Sequence, residues 1–129
     1  FISKSPRELS DLIKNLVDTI TKNEPGKWRK FIQDYSKLAR QGKDEFAYHF
    51  MLLRVWCQSV NRFKNNLNDS LHDTSLAMGM KKFISTYPCA DLLSIVSDLE
   101  DSVRAISMNL YMPLVLTNLL IETQKNLKQ

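Results

Sequence analysis

Leu92-Leu93-Ser94-Ile95-Val96-Ser97-Asp98-Leu99-Glu100-Asp101-Ser102-Val103-Arg104-Ala105-Ile106 decides the fold class. Its apolar residues Leu92, Ile95, Val96, Leu99, Val103 and Ile106 recur at steps of three and four. That spacing lines one face of an α-helix, whereas a half-buried strand alternates at every second residue. Asp91, Asp98, Glu100, Asp101 and Arg104 fall on the outer side. One side belongs in a core and the other in water.

The same rhythm extends outward in both directions. Asn109-Leu110-Tyr111-Met112-Pro113 is a short break, and Pro113 opens a last helix carrying Met112, Val115, Leu116, Leu119, Leu120 and Ile121. That helix is expected to fade into Gln124-Lys125-Asn126-Leu127-Lys128-Gln129. So short a break predicts antiparallel packing of the last two helices. Upstream, Leu76, Met80, Phe83 and Ile84 mark a shorter helix, stopped by Tyr87-Pro88 because the residue before proline resists the α region. Phe46, Phe50, Leu53, Trp56, Val60 and Phe63 form the stripe of the longest helix, which leads into a polar loop at 65–73. Trp28, Phe31, Ile32, Tyr35, Leu38 and Ala39 mark another, with Gly42 as its stop. The first helix starts at Ser5-Pro6-Arg7-Glu8, with Ser5 and Glu8 as a capping box, and carries Leu9, Leu12, Ile13, Leu16, Val17 and Ile20.

Composition agrees. The chain has 129 residues with 3 Gly and 4 Pro, where average usage would give roughly fifteen of the two together. So few backbone breakers leave little room for the turns of a sandwich or barrel. The hydrophobic fraction is 43% and the charged fraction 25%, which excludes a disordered tail. The expectation is all-α: a compact bundle of five to six helices in a single domain over residues 1–129. The chain opens Phe1-Ile2-Ser3-Lys4, without Met and without a signal peptide. It therefore reads as the C-terminal fragment of a longer chain. No apolar run reaches the ~20 residues of a membrane helix, and a cytoplasmic location is expected.

Sites of chemistry are sparse. Gly26, Gly42 and Gly79 are isolated, so no phosphate-cradling loop forms and no nucleotide cofactor is expected. His49, His72, Cys57 and Cys89 lack the close spacing of metal ligands. His49 and Cys57 would lie about 12 Å apart along one helix, too distant to share a metal or act as base and nucleophile. Both cysteines read as buried free thiols, with a disulfide left open. Glu100 and Asp101 diverge by ~100° around their helix, and Asp98 and Asp101 read as a solvated face. No catalytic residue is expected.

Binding surfaces are the alternative. The net charge of +4 comes from both signs mixed along the chain, which argues against a dedicated nucleic-acid stripe. Lys27, Arg29, Lys30, Lys37 and Arg40 do crowd the second helix beside Trp28 and Tyr35. Those two aromatics are in phase with the core stripe, so direct nucleic-acid contact is a minor reading. The last helix is apolar over more than one stripe, the signature of burial or of contact with another subunit. Met112, Leu116 and Leu120 share the core face, which leaves Leu114 and Ile121 as candidate subunit contacts. Arg54 and Arg62, on one flank of the long helix, are a second candidate contact.

The stretch Leu92 to Leu116 also resembles a known family. It looks like the end of the delta-prime subunit of the bacterial DNA polymerase III clamp loader. That family has an amphipathic helix ending in a hydrophobic residue, then an Asn, a short connection and a leucine-rich last helix. Ile106, Asn109 and Leu114 to Leu120 stand at those places. Trp28-Arg29-Lys30-Phe31-Ile32, then the long helix around Phe50 to Val60, follows the family's helix order, and Leu127-Lys128-Gln129 resembles its chain end. Related chains often have Arg or Gln before the Asn, where this one has Met108.

The resemblance implies a collar domain, the helical part that joins five clamp-loader subunits into a ring. Its implied partners are the delta and gamma/tau subunits; a gamma/tau-type collar is the alternative within this resemblance, because all five collars share the fold. Asn109 would cap the break between the last two helices. The family's ATP-binding and arginine-finger motifs belong to N-terminal domains, and none carries onto this chain. The competing readings are an unrelated helical protein-interaction domain and a helical nucleic-acid-binding domain.

Overall fold

The structure is a computed structural model. It describes the backbone of residues 6–65 and 74–127 and the side chains of residues 7–64 and 78–127. The expected Ser5 cap and its capping box with Glu8, the stripe position Leu76, and residues 66–73 of the expected loop lie outside the described residues. Six helices are seen: α1 Pro6–Thr21, α2 Pro25–Gln41, α3 Lys43–Asn65, α4 Thr74–Thr86, α5 Leu92–Ser107 and α6 Met112–Leu127. Among the described residues there is no strand, and the chain is an all-α bundle.

Local chemistry sets each boundary. Pro25 starts α2 at a position where its missing N–H had no helical partner. Gly42 alone separates α2 from α3: its N–H donates to the Leu38 carbonyl at 2.7 Å, and its carbonyl accepts from Phe46 at 3.0 Å. A Cβ on Gly42 would sit 3.1 Å from Leu38 Cδ1, so the single-residue joint favours glycine. Helix α3 carries Asp44 and Glu45 in its first turn and Arg62 and Lys64 in its last, each sign at the favourable end of the helix dipole. Asp91 caps α5, accepting from the Ser94 N–H at 3.1 Å.

Helix α3 forms the centre, packed against α1, α2, α4 and α5, while α6 packs on α1, α2 and α5. Phe46, Phe50, Leu53 and Val60 project from α3 and are fully covered. Phe31 and Tyr35 of α2 stack into them, with Phe31–Tyr35 ring centroids 4.7 Å apart and Phe46–Phe50 centroids 4.2 Å apart. Leu99 and Trp56, at the middle of their stripes, are buried. The N-terminal end of α5 meets the C-terminal end of α6, since the Asp91 N–H donates to the Asn126 carbonyl at 2.7 Å. The last two helices therefore run antiparallel, as the short break requires.

The expected fading of the last helix is corrected. Helix α6 continues to Leu127, whose side chain is completely buried. Its hydrophilic turn is held because Gln124 reaches across to α1 and Thr123 donates to the Leu119 carbonyl at 2.8 Å. Polar residues there find partners inside the bundle, so the hydropathy pattern ends before the helix does.

Candidate interaction surface

The α5–α6 connection is closed by backbone geometry. Asn109 adopts a left-handed conformation with φ 55°. Its N–H donates to the Ile106 carbonyl and the Leu110 N–H to the Ala105 carbonyl, both at 3.1 Å. This paired pattern is a Schellman motif, and it satisfies two carbonyls that α5 would otherwise leave open. Asn tolerates the left-handed region better than most residues with a side chain. The Tyr111 carbonyl then accepts from the Leu114 and Val115 N–H groups at 3.2 Å each, starting α6.

This compact turn presents apolar side chains outward. Tyr111 is 73% exposed, Met108 64%, Leu114 58%, Leu110 47% and Ile121 41%. Tyr111, Leu114 and Ile121 follow helical spacing along one side of α6, and Leu114 and Ile121 lie about 10 Å apart along the axis. On the opposite side of the same helix, Met112, Leu116, Leu119 and Leu120 are buried. Met108, Leu110 and Tyr111 were not singled out by the sequence pattern. The available signal was composition: a turn ordinarily takes polar residues, and this one takes several large apolar ones.

The arginine pair is placed elsewhere. Arg54 on α3 forms an exposed ion pair with Glu100 on α5 at 3.5 Å, and Arg62 is exposed in the last turn of α3. Helix α5 packs against both α3, which carries the arginines, and α6, which carries Leu114 and Ile121. The two candidate contacts thus lie on different helices.

The remaining chemistry-bearing residues sort as follows. Tyr35 Oη and His49 Nδ1 are 2.7 Å apart in the core, and burial pushes the Tyr35 hydroxyl well above its ordinary range. Cys57 is buried as expected, with its thiol pushed up to about 12 by desolvation, but Cys89 is exposed. Cys89 follows Pro88 in the turn after α4, where the chain reverses at the surface; the expectation of two buried thiols is corrected there. His72 lies outside the described residues. Among the described residues, no group of three His, Cys, Asp or Glu is placed to hold a metal.

Asp98 also departs from expectation. It is not on a freely solvated face but half-buried against α6, accepting from Asn126 Nδ2 at 3.3 Å. Desolvation first, then the neighbouring Glu122 and Asp101 charges, raise its pKa above the ordinary carboxylate value. Glu100 and Asp101 are exposed and paired with Arg54 and Arg104.

On α2, Arg29, Lys30, Lys37 and Arg40 are exposed and Lys27 is held by Asp18 at 2.8 Å. Tyr35 is buried, and Trp28 is half-buried with its Nε1 donating to the Thr19 and Lys22 carbonyls at 3.1 and 2.9 Å. The aromatics that a base-stacking surface would present are therefore turned inward. Among the described residues, no helix is long and apolar enough to cross a membrane. Comparison with protein-family models, curated proteins and solved structures gives no match to this chain.

Proposed function

We propose that this domain is a non-catalytic assembly module that joins its chain to other subunits through the outer side of α6. The observation carrying this reading is the exposed apolar row Leu110, Tyr111, Leu114 and Ile121 beside a hydrogen-bonded turn. Apolar side chains on a rigid frame lose little entropy on docking, and covering them releases ordered water. The inward-facing aromatics of α2 weigh against the nucleic-acid reading.

The specific assembly follows from the resemblance of residues 92–116: the collar of a DNA polymerase III clamp loader, of delta-prime or gamma/tau type. In that reading the partners are the delta and gamma/tau subunits, in the cytoplasm. The domain supports ATP-dependent loading of the sliding clamp without performing the chemistry. Contacts in such a ring are heterologous, so the isolated domain is expected to be monomeric in dilute solution.

The test is co-purification with clamp-loader subunits encoded in the same genome. The parent chain should join the complex, and the Leu114→Ser/Ile121→Ser double variant should join it less. Failure of the unaltered chain to join overturns the clamp-loader assignment. Normal assembly by a folded double variant moves the interface elsewhere, with Arg54 and Arg62 as the next surface to alter.

A further inference from the structure

Helices α1, α3 and α4 leave a cleft of about 430 Å³ between them. Its floor is aromatic. Trp56 and Phe83 are buried and meet edge to face, with ring centroids 5.2 Å apart at 89°. Tyr87 continues the floor 5.1 Å from Phe83. Among the described residues that line it, the rim carries Lys14, Lys22 and Lys82 and the carboxylate Asp18. That carboxylate is held by Lys22 at 2.7 Å and Lys27 at 2.8 Å, so Lys82, exposed on the α4 side, supplies the rim's charge for a ligand. Gly79 leaves one wall low: a Cβ added there would meet nothing within 4 Å.

We infer that this cleft binds a small amphipathic anion, its apolar body over Trp56 and Phe83 and its acidic group at the Lys82 rim. The volume falls within the ~300–1,000 Å³ of small-molecule sites, which combine apolar walls with a few placed polar groups. An uncharged ligand makes no use of the Lys82 ammonium, and a cation meets the like charge of the rim lysines. An anion gains charge-assisted hydrogen bonds there, while its apolar part leaves water. The site is independent of the α6 row, because none of its lining residues lies on α5 or α6.

The test uses anilinonaphthalene sulfonate as the anionic probe and N-phenylnaphthylamine as its uncharged analogue, titrated into the 129-residue chain. The sulfonate should fill one saturable site. Lys82→Glu should weaken it about tenfold, equivalent to about 1.4 kcal/mol, and leave the uncharged probe unchanged. Gly79→Leu should fill the cleft and abolish binding of both probes without lowering Tm, since glycine inside a helix is itself unfavourable. Leu114→Ser, outside the cleft, should change neither. Sulfonate binding that ignores Lys82→Glu, or that survives a folded Gly79→Leu, overturns the assignment, as does loss with Leu114→Ser. If Gly79→Leu does not fold, the Lys82→Glu comparison of the two probes decides alone.

Discussion

The Gln124 side-chain amide donates to the Thr21 carbonyl at 2.9 Å, joining positions 103 residues apart in sequence. A second donation reaches the Ile20 carbonyl at 3.2 Å. Helix α1 has no basic residue in its last turn, and its final carbonyls have no partners within the helix. Trp28 supplies the Thr19 and Lys22 carbonyls, and the Tyr87 hydroxyl approaches Thr21 O at 3.5 Å. Side chains from three other parts of the chain thus close the end of α1.

Gln124→Leu keeps the bulk of the side chain and removes these donors. The part-buried carbonyls are left short of partners, at about 1–2 kcal/mol. Thermal unfolding should show a Tm lower by roughly 4–10 °C. An unchanged Tm would mean that water replaces the amide at no cost.

Asn109 should tolerate glycine and reject a β-branched residue. Its φ of 55° suits Gly and is reached by Asn at moderate strain. Asn109→Gly should stay within a few tenths of a kcal/mol of the parent, whereas Asn109→Val should lose about 1–2 kcal/mol. Urea midpoints at constant slope separate the two. Equal losses in both variants would give the Asn109 side chain, rather than its backbone, the decisive role.

Residues such as Leu99, Trp56 and Phe50 were legible because each sits in a local period of three and four, and burial of such a stripe needs no knowledge of its partner. Leu116 and Leu120 followed the same logic, as did Gly42 at its joint. Gln124 was not legible, since its bonding depends on the end of α1, over a hundred residues away in sequence, and Leu127 is completely buried although the residues just before it are polar. Asp98 looked solvated because its position on α5 points away from the stripe, yet Asn126 of α6 covers that side. Cys89 resembled a buried thiol by residue type alone, while its location after Pro88 puts it in a surface turn.

Asp98 makes an unfavourable contribution when ionised, and the sign can be worked out. Its folded pKa is raised, so the folded state holds the proton more tightly than the unfolded one. The penalty is absent below the ordinary carboxylate value, grows as pH rises through the folded pKa, and is then constant. Asp98→Asn should therefore stabilise the domain at neutral pH, by less than about 1 kcal/mol because solvent screens the half-exposed group. The advantage should vanish on acidification. Asp18 has the opposite sign: hydrogen bonds from Lys22 and then Lys27 lower its pKa, and its contribution is lost as pH falls. Urea unfolding of both Asp→Asn variants across the acid range reads the two slopes, and a gain for Asp98→Asn that persists at low pH would point to packing instead of charge.

The two sides of α6 should separate folding from assembly. Leu116 and Leu120 are fully buried, so Leu116→Ala loses transfer energy and leaves a cavity, at about 2–5 kcal/mol. Leu114 is 58% exposed, and Leu114→Ser should change stability by no more than about 0.5 kcal/mol. Ile121 keeps more of its surface covered at 41% exposure, so Ile121→Ser should lose about 1–1.5 kcal/mol, part of the value of a fully buried side chain. The two outer positions are two turns apart and do not touch, so their effects should add. The double variant should then retain its helical circular dichroism and a cooperative transition, while Leu116→Ala shows a much lower urea midpoint. If the Leu114→Ser/Ile121→Ser variant unfolds, the outer side of α6 belongs to the core and cannot serve as a subunit contact. If it folds, any loss of assembly by this variant reports on the surface itself.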